Sequence, residues 1–246
     1  IETMGPVHVA RHGLFISTAA LTPVKAALSL DLSLQNHLPA DADADVSITV
    51  VSPGGTTVAE CRSRVAVPRG TATVRHTIEV PQPMAWSPET PHMYTAVVRI
   101  TRDGTVVDER SVPFGIRSIA FDRSRGFLLN GLPVKMKGVC LHHDAGALGT
   151  AVPVDVWHRR LESLKRMGCN AIRTSHNPPA PEFLDLCDSM GFLVMDEAFD
   201  EWTRGKRKWI NGWNKTVFKT DGHHDHFAEW CERELEEMVR RDRNHP

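Results

Sequence analysis

Three short polar clusters carry the side chains able to do chemistry, and each follows an apolar run: Leu141-His142-His143-Asp144, Arg173-Thr174-Ser175-His176-Asn177, and Asp196-Glu197 with Asp200-Glu201-Trp202. Together they offer imidazoles, a guanidinium and carboxylates, groups of mixed sign that donate and accept hydrogen bonds. Such a set suits a polyhydroxylated ligand, and Trp202, Trp209 and Trp213 add flat apolar faces for sugar rings. Each cluster also has a plainer reading. A lone His at a strand end is commonly a structural hydrogen-bonder, and Asp196-Glu197 can cap a loop. Three clusters in succession tip the balance toward a binding rim. Arg173 is the hardest to dismiss, because it interrupts an apolar strand and a buried guanidinium without a carboxylate partner is costly.

The elements that must position these clusters follow from the hydrophobic period. From Val134 onward short apolar strands alternate with helical patterns. The strands are expected at Val134–Val139, Cys169–Arg173 and Phe192–Asp196. Residues 155–167 place Trp157, Leu161, Leu164 and Met167 near one helical face, with Gly168 as the stop. Pro181 suits a first helical turn, Phe183, Leu184, Cys187 and Met190 line a face, and Gly191 ends it. A third helix is expected over 223–241, with Phe227, Trp230, Cys231, Leu235 and Met238 inward and Glu236→Arg240 and Glu237→Arg241 pairs outside. This β-α-β-α-β-loop-α order implies parallel strands, as in an open doubly wound sheet or the start of a (β/α)8 barrel. In either fold the chemistry gathers at strand C-termini, where the three clusters lie.

Residues 24–110 read differently. Leu28, Leu30, Leu32 and Leu34 alternate with polar residues, as do Val46, Ile48 and Val50, and then Tyr94, Ala96, Val98 and Ile100. Pro53-Gly54-Gly55 and Asp103-Gly104 mark turns. Short strands with regular turns predict a β-sandwich. The boundary falls near residue 118, giving a sandwich at 1–118, with 1–12 a linker or strand remnant, and an α/β part at 119–246.

Composition excludes several classes. The 246 residues are 41% hydrophobic and 24% charged, enough for a core and unlike a disordered chain. With 29 basic and 30 acidic residues the formal net charge is −1, which gives no basic surplus for nucleic acid. No apolar run approaches the roughly 18 residues a membrane helix needs, and the compartment stays open between cytoplasm and periplasm. Five widely spaced cysteines without a C-x-x-C argue against a disulfide framework or a structural zinc site and suit small buried apolar positions in a reducing compartment. His223-His224-Asp225-His226 resembles a metal cluster, but adjacent imidazoles on a helix diverge, so a solvated face is expected. Asp41, Asp43 and Asp45 mimic a calcium loop, yet Val46 and Ser52 stand where Gly and Glu are required.

Several stretches together resemble glycoside hydrolase family 2, the β-galactosidase, β-glucuronidase and β-mannosidase group. Asn170–Pro178, Phe183-Leu184, Asp188 and Gly191–Met195 resemble the family's first signature, with Asn177 where the family usually has Tyr. Trp86–Tyr94 and Phe114–Arg117 resemble late parts of its immunoglobulin-like domain, Phe127–Gly131 and Lys137–His143 its barrel entry, and Arg240–Pro246 the run before the fourth strand. The resemblance implies an immunoglobulin-like β-sandwich followed by the first three βα units of a (β/α)8 TIM barrel. It implies a retaining glycosidase acting on a β-linked oligosaccharide or glycoside, with no cofactor. The general acid/base Glu would come shortly after Asn-His-Pro and the nucleophile Glu later, so no catalytic carboxylate is assigned in this chain. What carries over is a supporting shell. Arg173 would sit against the nucleophile, His176 and His142 would line the sugar pocket, and Asn177, Asp196 and Glu197 are rim residues. Glu201 falls where some galactosidases place a magnesium ligand, but Thr203 replaces the expected His, so no metal is predicted. The competing readings are a non-catalytic carbohydrate-binding protein and a sandwich serving as a spacer.

Overall fold

The computed structural model describes residues 3–205 and 222–246, and the backbone alone at 207–209 and 216–218. Trp213 lies outside the described residues, as does the side chain of Trp209.

Seven strands come first: β1 (Val7–Leu21), β2 (Lys25–Asn36), β3 (Ala42–Val51), β4 (Thr57–Val67), β5 (Gly70–Pro81), β6 (Met93–Arg102) and β7 (Thr105–Gly115). They form two sheets, β1-β2-β5 and β4-β3-β6-β7, and every pairing is antiparallel. The period-2 pattern is the cause. Leu28, Leu30, Leu32 and Leu34 of β2 are fully buried, and they share one core with Val46, Ile48 and Val50 of β3 and Tyr94, Ala96, Val98 and Ile100 of β6. Ser29, Asp31 and Ser33 point the other way, where Asp31 pairs with Arg75 across the ladder. The Asp103-Gly104 turn takes positive φ at both residues, which closes the β6–β7 hairpin with the twist its strands need.

The first strand decides between two expectations. Of the two alternatives for residues 1–12, a linker or a strand remnant, residues 7–12 take the strand and begin β1, because Val7 and Val9 are buried and pair with Asn36 and Leu34. The ladder then shifts register between Val9 and Leu14, and at Gly13 a Cβ would meet the carbonyls of Ala10 and Ser33 at 2.6 and 2.7 Å.

A small sheet follows, ordered β10-β9-β8, from β8 (Ile119–Asp122), β9 (Gly126–Leu129) and β10 (Leu132–Pro133). Then come β11 (Gly138–His142), α1 (Val154–Arg166), β12 (Ala171–Ser175), α2 (Pro181–Met190), β13 (Leu193–Met195) and, after a backbone ladder between 207–209 and 216–218, α3 (Phe227–Asp242). The sheet order is β11-β12-β13, with β11 and β12 parallel. The β11 strand lies four residues later than expected. Val134 still donates its N–H to Phe127, so it belongs to the preceding hairpin. Asn170 then starts the parallel pairing, bonding the Lys137 carbonyl through its N–H (2.9 Å) and the Lys137 N–H through its Oδ1 (2.7 Å).

Trp157 and Leu161 of α1 are buried, and so are Phe183, Leu184 and Cys187 of α2, whereas Met167 is exposed. On α3 the expectation fails. None of its residues is buried, and Trp230 and Leu235 are exposed, because among the described residues no layer covers that face. Glu236 does pair with Arg240, but Arg241 turns to Asp242 and the Pro179 carbonyl. The chain divides into two compact units, Ile1–Met136 with Asp185–Leu193 and Arg243–Pro246, and Lys137–Leu184 with Val194–Asp242. Among the described residues no helix is long and apolar enough to cross a membrane.

Gly191 ends α2 at φ +72°, and a Cβ there would run into the Pro88 carbonyl. Gly191→Ala is expected to cost roughly 2–4 kcal/mol through strain and overpacking, read as a lower midpoint of urea unfolding with an unchanged m-value.

Candidate active-site rim

Parallel pairing sets the site. Cys140 lies beside Arg173 and His142 beside Ser175 in the β11–β12 register, so these four side chains share one face of the sheet. Ile172 and Thr174 take the other face and are buried. The Ser175–His176 peptide is cis, and His176 follows directly from the strand end.

On that face Glu197 is the hub. It accepts a hydrogen bond from Arg173 Nε, and His176 Nδ1 lies 2.8 Å from its other oxygen. Its own backbone N–H donates to Thr174 Oγ1 at 3.2 Å, which anchors the second residue past β13 onto β12. The His142 ring meets His176 edge-on at 5.4 Å. His142, Arg173, His176 and Glu197 are thus together, and Arg173 has the carboxylate partner its setting demands. A cavity of about 470 Å³ opens beside them, lined by Arg173, His176, Glu197, Phe199, Asp200 and Trp202 among others. Burial pushes the Glu197 carboxyl up, but the hydrogen bonds from His176 and Arg173 outweigh it and hold the group below its ordinary value.

The remaining residues from the sequence reading go elsewhere. Asn177 is exposed and lines two smaller cavities, one of them of about 230 Å³ shared with Phe199, Asp200, Glu201 and His223. Asp196 leaves the rim, because its carboxyl faces Thr174 Oγ1 at 3.3 Å and hydrogen-bonds Asp242. Burial and the neighbouring Asp242 carboxyl push its pKa up to about 7. Glu201 is buried and faces His224 Nδ1 at 3.2 Å. The His223–His226 run is therefore not simply a solvated face: His224 reaches Glu201, and His223 reaches Glu234 at 2.9 Å. Among the described residues the grouping able to offer three metal-ligating atoms is Asp185, Asp188 and His245.

Two neighbours of these residues are not marked by the sequence pattern. Cys140 is exposed rather than buried, with its Sγ 3.6 Å from Arg173 Nη1. Hydrogen bonds from Arg173 and then Ser175 pull its thiol below the ordinary value. The expected strand at Val134–Val139 ended one residue too early to reveal it. Asp242 was missed because no local pattern joins it to Asp196.

Comparison with known proteins agrees along the chain. Residues 122–246 match the model for the TIM barrel domain of glycosyl hydrolases family 2, and residues 7–117 match the model for glycosyl hydrolases family 2. A β-galactosidase of Bacteroides ovatus is 42% identical over 250 residues, covering 100% of this chain and 28% of that protein. A β-glucuronidase of Mus musculus is 32% identical over 176 residues, covering 69% of this chain and 24% of that protein. The crystal structure of a family 2 member from Bacteroides cellulosilyticus superposes with a TM-score of 0.91 at 36% identity, over 99% of this chain and 30% of that one. The chain therefore spans less than a third of the length of these relatives. Its fold is a sandwich-type β domain followed by the start of a TIM barrel.

Two measurements test the electrostatics. The folded Asp196 holds its proton up to about pH 7, whereas the ordinary value is 3.8. The wild type is thus expected to lose stability relative to Asp196→Asn as pH rises from about 4 to 7, and to parallel it above pH 8; equal slopes in thermal unfolding would contradict this. Among the five cysteines, Cys140 is expected to react first with a disulfide reagent and buried Cys187, whose thiol burial pushes up, last.

Proposed function

Since the chain belongs to glycoside hydrolase family 2, we infer that it is a section of a retaining β-glycosidase, β-galactosidase-like in the sugar it takes. The observation that carries this reading is the cluster of Arg173, His176 and Glu197, with His142 against His176, beside a cavity large enough for a sugar ring. Residues 1–118 are the sandwich domain of that enzyme and 119–246 the opening of its barrel. The substrate is a β-linked oligosaccharide or glycoside.

The rim supplies binding rather than bond cleavage. A retaining mechanism needs two carboxyl groups about 5–5.5 Å apart, one attacking the anomeric carbon and the other protonating the leaving oxygen and then activating water. Glu197 is engaged by a guanidinium and an imidazole, so it serves as a fixed acceptor for a sugar hydroxyl. His176 and His142 hold the edges of the same ring, and Trp202, which is exposed at the cavity mouth, offers a flat face to the next one. Arg173 completes the arrangement by keeping its carboxylate neighbours charged. Neither reacting carboxylate is assigned to this chain, and on its own it is inactive.

The relatives' names divide between galactosidase and glucuronidase, and the higher identity to the Bacteroides ovatus galactosidase favours the former. The full-length gene product is expected to release nitrophenol from nitrophenyl β-galactoside faster than from the β-glucuronide or β-mannoside. The 246-residue chain is expected to release none above a His176→Ala control. Hydrolysis by this chain above that control overturns the assignment of the reacting pair, and a preference for the glucuronide overturns the sugar.

A further inference from the structure

Arg173 does not serve the rim alone. Its Nε donates to Glu197 and its Nη2 lies 3.4 Å from His176 Nδ1, but Nη1 turns to the Cys140 sulfur at 3.6 Å. The β11–β12 register puts that sulfur on the same face as Ser175. Ser175 is 4% exposed, and its Oγ, although close enough to draw the thiol down, completes no hydrogen bond. A buried hydroxyl left in this state costs stability and calls for an acceptor. Cation and hydroxyl together are what an oxygen attached to the sulfur would need. All five cysteines are free, and Cys140 is the exposed one: Cys61, Cys169 and Cys231 are half-buried and Cys187 is buried.

We propose that Cys140 is a site of reversible oxidation by a hydroperoxide, held as a sulfenate by Arg173 and Ser175 and coupled through Arg173 to the Glu197 acceptor of the rim. The thiolate sulfur attacks one oxygen of the peroxide. An S–O bond forms and the O–O bond breaks. The departing oxygen takes a proton from solvent, replacing the one the thiol released, and leaves as water or an alcohol. The sulfur gives up two electrons and the peroxide accepts them. A small thiol reverses the change: it condenses with the sulfenic acid, expelling water, and a second thiol frees Cys140 from the mixed disulfide. The new oxygen accepts from Ser175 and competes with Glu197 for the guanidinium. Coupling through one shared cation is reciprocal: as an anion on the sulfur loosens Arg173 from Glu197, Glu197 holds back formation of that anion. No turnover enters this inference, so it goes beyond the preceding reading and does not depend on it.

The test treats the full-length gene product with hydrogen peroxide in the presence of dimedone, which traps sulfenic acids, and follows the five cysteines by mass spectrometry. Cys140 is expected to take the label about tenfold or more faster than each of the other four, and dithiothreitol added before dimedone is expected to abolish it. Ser175→Ala and Arg173→Gln are each expected to slow labelling about 3-fold or more, and Glu197→Gln to speed it by a similar factor. The other four cysteines are expected to keep their rates, and an unreactive Cys187 marks a variant that has kept its fold. Ser175→Ala and Glu197→Gln carry the test if Arg173→Gln fails to fold. Labelling of Cys140 no faster than of Cys61, Cys169 or Cys231 overturns the proposal, as does a rate that neither Ser175→Ala nor Arg173→Gln lowers. A Glu197→Gln rate no higher than wild type overturns the coupling to the rim. A wild type that cleaves no β-glycoside overturns the preceding reading and leaves this one standing.

Discussion

Asn170 bonds the backbone of Lys137 through both its own N–H and its side chain, and this tie sets the register of β11 against β12 on which the rim depends. Gly138 opens β11 where a Cβ would strike the Ala171 carbonyl at 2.7 Å, so a residue without a side chain lets the two strands approach there. From there the parallel ladder does the rest: Cys140 meets Arg173 and His142 meets Ser175. A slip of one residue would turn Arg173 to the face occupied by the buried Ile172 and Thr174, away from Glu197 and His176. The chemistry of the rim is thus a consequence of two hydrogen bonds to the Lys137 backbone, one from the Asn170 N–H and one to its side chain, made by a residue that takes no part in it.

The two acidic neighbours at the end of β13 show how environment divides similar groups. Glu197 points to the Arg173 face, gains a guanidinium and an imidazole, and is held charged. Asp196, one residue earlier, points the opposite way to Thr174 and Asp242 and rises to about 7. An acid/base group works best with a pKa near the operating pH, so by that criterion alone Asp196 would look catalytic and Glu197 would not. Geometry reverses the ranking: Asp196 is shut in against α3 and its partners, while Glu197 borders the cavity. A perturbed pKa marks a function only where the group also faces a ligand, and here it marks a structural acid pair.

Much of this was legible in the sequence because periodicity reports which residues share a face. The alternating leucines of β2 and the Gly-closed helices α1 and α2 appear where the pattern put them. So does the gathering of His142, Arg173, His176 and Glu197, since strand ends in a parallel sheet point to one side. Periodicity does not report what lies opposite a face. The stripe of Phe227, Trp230, Cys231, Leu235 and Met238 is amphipathic, yet none of it is buried, because a pattern names an apolar side and not its cover. Strand ends also slip: the apolar run at Val134–Val139 was extended in sequence, but Val134 had already been claimed by a hairpin with Phe127, and the shift hid Cys140. Asp196 with Asp242 and Glu201 with His224 were beyond reach for a different reason, since each joins residues more than twenty apart through side chains alone.

The sandwich gathers residues from far along the chain because its edge needs polar partners. An edge strand is a liability, a row of unpaired N–H and C=O groups open to any other strand. A primary amide carries one acceptor and two donors in a plane, as a peptide does, so one Asn side chain can satisfy two edge groups without a strand being present. At β1 the register shift near Gly13 adds local twist beside the place where the Asn244 side chain accepts from the Ile16 N–H and donates to the Leu14 carbonyl. Capping the edge and tethering residues 243–246 are therefore one interaction, and the buried Asp188–His245 pair extends it to the segment 185–193. Asp188 in turn offers its backbone carbonyl to the buried indole of Trp86 at 2.9 Å, which closes the circuit back to the sandwich. Three stretches far apart in sequence are held as one body because each supplies the polar partner that another would otherwise bury unsatisfied.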